Sequence, residues 1–171
     1  MTPSPILLSL ISQMADRKMS IGYRLLQFIS VETIADEQEI YQKNFAGFDF
    51  TNTKEGFWQK KWLVFASDEI GSPVFVDSED KMLPVFTATQ EDDGWMIYKV
   101  ANRVEDYFRF VEIISKVAED RENPDMLSQN PIPEVVSEAI MTEIEKFTTG
   151  CEVWYWELFL ENYQVERKFD L

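Results

Sequence analysis

The sequence predicts an α+β domain: an antiparallel β-meander of about four to six strands, with helices packed on one face and at both termini. Three observations predict it. Between Trp62 and Val100, four short apolar runs rich in β-branched and aromatic residues are bounded by Gly, Pro or Asp. The connections between these runs are only a few residues long, and such neighbours pair as hairpins, because a parallel crossover needs about a dozen residues or more. Beyond them, Val104, Tyr107, Phe108, Val111, Ile114 and Ala118 recur at three-and-four spacing, a helical stripe wide enough to lie across a sheet.

The strands are read as Trp62 to Ala66, Pro73 to Val76, Leu83 to Thr87 and Trp95 to Val100, a core of about residues 62–100. Acidic turns join them: Ser67 to Ser72, then Asp77 to Lys81, then Glu91 to Gly94. Ahead of the meander, Ile6, Leu7, Leu10, Ile11 and Met14 form a helical stripe, with Pro3 and Pro5 tolerated before it or in its first turn. Ile21 to Ile29 is apolar in patches and fits either a short strand or a helical turn. From Val31 a second helix is expected, capped by Thr33 or Asp36, facing Ile40, Tyr41 and Phe45 inward and stopped by Gly47. Phe48 to Lys54 reads as a loop, and Phe57 and Trp58 as packing beneath the start of the meander.

After the sheet, Asn102 and Glu105 have the spacing of a reciprocal capping box for the long helix. Glu119 to Pro133 is a polar connector with three prolines, too short to separate two domains. Another helix starts at Pro133, turns Val135, Val136, Ala139, Ile140, Ile144 and Phe147 inward, and ends at Gly150. For Val153 to Tyr163, helical spacing gathers Trp156, Phe159, Leu160 and Tyr163.

With 171 residues the whole chain, 1–171, is expected to be one domain. Its apolar fraction of 45% and five Trp supply ample core. Cys151 is the only cysteine, which excludes an intrachain disulfide and fits a reducing compartment. Its aromatic surroundings in the sequence suit a small buried core residue. No run approaches the ~18 apolar residues of a membrane span. Ile6 to Met14 lacks both a preceding basic residue and a following small-residue cleavage site, so a cytoplasmic location is expected.

Thirty-one acids against sixteen bases give a net charge of −15. Such a surface repels nucleic acid and anionic membranes and attracts basic partners. Basic residues occur as doublets only: Arg17-Lys18, Lys60-Lys61 and Arg167-Lys168. The chain has no histidine, which removes imidazole acid–base relays and imidazole metal sites and leaves Cys151 without an activating base. Glycine-rich phosphate cradles are absent. Ser78 and Lys81 match Ser-x-x-Lys, but in a hairpin turn and without the companion motifs of the enzymes that use it. Asp77 to Asp80 lacks the glycine and distal glutamate of a calcium loop. A pair of carboxylates in a glycosidase arrangement remains open as an alternative. The expectation is a protein that is not an enzyme and holds no metal or cofactor.

Trp62-Leu63-Val64-Phe65-Ala66-Ser67-Asp68, Gly71-Ser72-Pro73-Val74-Phe75-Val76-Asp77, Pro84-Val85-Phe86, Trp95 and the segment Val100-Ala101-Asn102-Arg103-Val104-Glu105-Asp106-Tyr107 follow one another in an order that resembles the SUKH superfamily. That superfamily includes the fungal Smi/Knr regulators of cell-wall synthesis and many bacterial immunity proteins. The resemblance covers roughly residues 20–118. It implies an α+β domain that binds and neutralises a cognate toxin, often a nuclease or deaminase, encoded beside it; the alternative is a Smi/Knr-like regulatory or scaffold module for a peptide or protein partner. An acidic face would occupy a basic substrate cleft. The expected contact residues are Asp68, Glu69, Glu91, Asp92 and Asp93, with Trp95 as an aromatic anchor or a core residue. The expected partner is thus a basic protein, not nucleic acid or membrane, and the chain a monomer or weak homodimer.

Overall fold

In the computed structural model, which describes residues 4–14, 18–21, 24–43, 49, 51–52, 56–91, 94–119 and 132–161, one antiparallel sheet carries the architecture. Its strands are β1 (Lys18–Ile21), β2 (Arg24–Phe28), β3 (Trp62–Ser67), β4 (Pro73–Asp77), β5 (Val85–Glu91) and β6 (Gly94–Ala101). They lie side by side in chain order, each pairing with its sequence neighbours. The helices are α1 (Pro5–Met14), the short α2 (Ile34–Glu37) and α3 (Glu39–Gln42), α4 (Val104–Glu119), α5 (Glu134–Glu145) and α6 (Trp154–Glu161). This is the expected meander with helices near both termini, extended by the hairpin β1–β2. Among the described residues no helix is long and apolar enough to cross a membrane.

Two cores separate the faces of the sheet. Leu26, Phe28, Leu63, Phe65, Val74, Val76 and Val85 project toward the helices and pack on Tyr107, Phe108, Val111 and Ile114 of α4, with Leu7 and Ile11 of α1 and Trp156 and Phe159 of α6 in the same cluster. Trp62, Val64, Phe75 and Ala88 project the other way, where Trp58 and Tyr41 join them. Trp58 stands edge-on to Trp62 at 5.2 Å and packs on Phe75 at 4.9 Å. Strand alternation sets this division, and two β-bulges modify it. The β3–β4 register skips Phe65 and the β5–β6 register skips Val100. Each extra residue lets consecutive side chains, Phe65 with Ala66 and Val100 with Ala101, enter the helix-side core.

A side chain substitutes for a missing strand beside β3. β2 pairs with β3 only at Gln27–Ser67 and Phe28–Ala66, so Val64 faces an open edge. Gln38, between α2 and α3, fills it. The Val64 N–H donates to Gln38 Oε1 at 2.8 Å, while Gln38 Nε2 donates to the Val64 carbonyl at 3.0 Å and to the Ile34 carbonyl at 2.7 Å. The buried amide thus copies the donor–acceptor pair of a neighbouring strand.

Several sequence expectations are corrected. Leu83 lies outside β5, with φ at +47° in a turn closed by its N–H donating to the Asp80 carbonyl. The helix expected from Val31 divides at Gln38 into two single turns, which leaves Ile40 67% exposed instead of inward. In α5 the buried stripe runs through Ser137, Ile140 and Ile144, so Val135 and Ala139 fall on the outer side and Phe147 is partly exposed. That helix ends at Glu145, before Gly150. Asn102 does not cap α4; its amide donates to the Phe147 and Thr149 carbonyls at 3.1 Å each, tying the start of α4 to the end of α5. Cys151 is half-buried rather than part of the core. Phe45, Gly47, Phe48, Asp92, Asp93 and Tyr163 lie outside the described residues, as does most of the connector up to Pro131.

Candidate functional site: the acidic end of the meander

Because neighbouring strands alternate in direction, the β3–β4 and β5–β6 connections leave the sheet from the same end. This topology brings Asp68, Glu69 and Glu91 to one rim, while Asp77, Glu79 and Asp80 belong to the β4–β5 connection at the opposite end. The last β4–β5 pair toward the rim is Val74–Thr87. Ile70 and Glu91 each stand four residues beyond it, counting 74 to 70 and 87 to 91.

The β3–β4 turn is built around Asp68. Its Oδ1 accepts the Ile70 and Ser72 N–H groups at 3.1 and 2.7 Å. Its own N–H donates to the Ser72 carbonyl at 3.0 Å, and its carbonyl accepts the Gly71 N–H at 3.1 Å. Gly71 takes φ +84°, a left-handed conformation that glycine adopts at no steric cost. An aspartate organising the amides that follow it is the ordinary chemistry of a tight turn.

Arg24 of β2 fastens this turn to the sheet. Its guanidinium lies 2.9 Å from Glu69 Oε1 and 3.6 Å from Asp68 Oδ2. The backbone N–H of Leu25 also donates to Glu69 Oε2 at 3.1 Å. The Asp68 side chain is only 10% exposed, so its carboxylate is spent on the turn and on Arg24. Beneath them, Arg24 lies over the Phe159 ring at 5.4 Å, and the hydroxyls of Tyr107 and Tyr155 share a buried hydrogen bond of 2.8 Å. Burial, above all, pushes both phenols well above their ordinary pKa, so both stay protonated. The turn presents Ile70, 81% exposed, the most exposed large apolar side chain among the described residues.

Glu91 is exposed at the end of β5, opposite Gly94. Asp92 and Asp93 lie between them, outside the described residues. Trp95 is half-buried and packs on Trp58 at 5.3 Å and Tyr41 at 6.3 Å, so most of its ring belongs to the second core. Its N–H donates to the Gly56 carbonyl at 2.7 Å. That approach requires glycine at position 94: φ is +147°, and a Cβ would sit 2.2 Å from the Gly56 oxygen.

The structure therefore gathers three of the six expected contact residues on one rim and gives each a different status. Asp68 is internal, Glu69 is divided between Arg24 and solvent, and Glu91 is open. Arg24 and Ile70 escaped the sequence reading. Arg24 is 44 residues from Asp68, and no local spacing announces such a pair. Ile70 sits in an acidic segment whose pattern signals only a turn. Among the described residues no group of three or more His, Cys, Asp or Glu is placed to hold a metal ion. The rim can present carboxylates and one apolar side chain on a rigid support. No family model, curated protein or solved structure matches the chain.

Proposed function

We propose that this chain is a non-catalytic binding protein of SUKH type, an immunity protein that neutralises a cognate toxin of nuclease or deaminase class in the cytoplasm. The observation that carries the reading is the shared rim: the acid-bearing β3–β4 and β5–β6 turns leave the sheet at one end, with Glu91 exposed and the Asp68–Glu69 turn locked by Arg24. The net charge of −15 and the order of sequence elements between residues 62 and 107 support it. A rigid acidic rim loses little conformational entropy on binding and steers a basic cleft toward it. Glu91, Asp92 and Asp93 meet the partner's cations in this reading, while Asp68 and Glu69 shape the surface more than they contact it. The toxin's basic cleft is covered, and no bond is made or broken.

The test is co-expression with the product encoded beside this gene, followed by purification. Growth rescue and a stoichiometric complex whose affinity falls steeply with ionic strength are expected. No complex at low salt with any neighbouring product would sink the reading. A stable complex indifferent to salt would point to a Smi/Knr-like scaffold module.

A further inference from the structure

At the opposite end of the sheet from the acidic rim lies a second surface, independent of the reading above. The start of α1, the β4–β5 turn and the first turn of α4 enclose an open groove of about 210 Å³. Its apolar lining is Ile6 and Met82, each 52% exposed, with the buried Leu83 at its floor. Leu83 takes the left-handed φ of +47°, uncommon for a branched side chain. Its N–H donates to the Asp80 carbonyl at 3.0 Å, and the Met82 N–H donates to Asp80 Oδ1 at 2.8 Å. The turn thus holds Leu83 inward and leaves Met82 at the mouth. Glu79, Asp80, Lys81 and Glu105 border the groove, and Glu105 is paired with Arg103 at 3.2 Å.

We infer that this groove docks a short cationic, amphipathic peptide segment of a partner protein. One apolar side chain would enter between Ile6 and Met82, and flanking Lys or Arg residues would lie on Glu79 and Asp80. Size argues for a peptide side chain: small-molecule pockets run to about 300–1,000 Å³, and this one is smaller and open on one side. Charge argues for a cation: Glu105 is paired with Arg103 and Asp77 with Lys61, which leaves Glu79 and Asp80 against the Lys81 ammonium. The methionine suits the groove to apolar side chains of varied shape.

The probe is a synthetic peptide of alternating Lys and Leu, titrated into the isotope-labelled full chain while amide shifts are recorded. Changes clustered at Ser4 to Ile6, Ser78 to Leu83 and Glu105 are expected. A Lys/Ser peptide of equal charge should bind about tenfold more weakly, as should the Lys/Leu peptide to the double variant Ile6→Ser, Met82→Ser. Glu79→Gln should weaken binding at low salt and cease to matter at high salt. Asp80 is left intact because it holds the turn. Shifts scattered over all acids, or centred on the β3–β4 and β5–β6 turns, would overturn the inference, and this wild-type map does not depend on any variant folding. Equal affinity for the two peptides would do the same. So would a concentration-dependent dimer abolished by the double variant, which would make a second copy the occupant.

Discussion

Replacing Gln38 by alanine removes the amide that stands in for a strand beside Val64. The Val64 N–H and C=O then lose their partners in a position where Val64 itself is fully buried. Each unsatisfied backbone group costs about 1–3 kcal/mol, so the sum is roughly 2–6 kcal/mol. A groove of about 220 Å³, lined by Gln38, Trp62 and Leu63, adjoins the site, and water entering it would recover part of the loss. The expected cost is therefore about 2–3 kcal/mol, which for a chain of this length lowers the melting temperature by roughly 5–10 °C. Urea unfolding should show a lower midpoint with an unchanged slope.

Gln38→Glu gives a second readout at the same position. A carboxylate accepts the Val64 N–H but opposes the carbonyls of Ile34 and Val64, whereas the protonated acid can donate. Its folded-state pKa is therefore raised above the ordinary ~4.3 of a glutamate. Stability contributed by the protonated form is complete below that ordinary value and lost as pH rises through the folded value. The deficit relative to the wild type should be small at acidic pH and widen toward neutrality. A Gln38→Ala loss within about 0.5 kcal/mol, the usual effect of a surface change, would refute the strand-substitute reasoning.

Three further outcomes are expected. Arg24→Gln should cost about 1–3 kcal/mol, between an exposed and a buried ion pair, and speed amide exchange at Leu25; a loss no greater than that of Lys60→Gln, whose pair with Asp49 is well exposed, would dissolve the clamp. Gly94→Ala should cost roughly 2–4 kcal/mol, from backbone strain and from the approach to the Gly56 carbonyl, and exceed Gly71→Ala, where a Cβ meets open space; equal losses in thermal unfolding would count against the close contact. Tyr107 and Tyr155, their pKa raised chiefly by burial, contribute stability that is complete below the ordinary tyrosine value of ~10 and lost as pH rises through the folded values. Their ionisation in an ultraviolet titration should coincide with alkaline unfolding, and a smooth titration of every tyrosine before unfolding would contradict their burial.

The middle strands were legible because their signal is local: Trp62 to Ala66 and Pro73 to Val76 are short apolar runs closed by turn residues. β1 was hidden because four residues are too few to show alternation, and β2 because Leu25 and Leu26 fit either period. Ile40 and Val135 misled for a common reason. A helix with apolar residues on two sides buries only one, and tertiary packing chooses it. Within the rim, the acids and the turn were readable from composition. Their pairing was not, since Arg24 and Gln38 act across 44 and 26 residues, through contacts that exist only once the sheet has formed.

The extra residues at Phe65 and Val100 have a consequence for how this chain can vary. Each is skipped by the ladder, so the pairing on either side of it runs on as if it were absent. An exchange of one apolar side chain for another at position 65 alters volume alone. Deleting the residue would leave Val64 and Ala66 on consecutive partners, Phe75 and Val74, so plain alternation would keep Trp62 and Val64 on one face and Leu63 and Ala66 on the other. At these two points the extra residue adds a second consecutive side chain to the helix-side core, and its loss would remove volume there without turning the strand over.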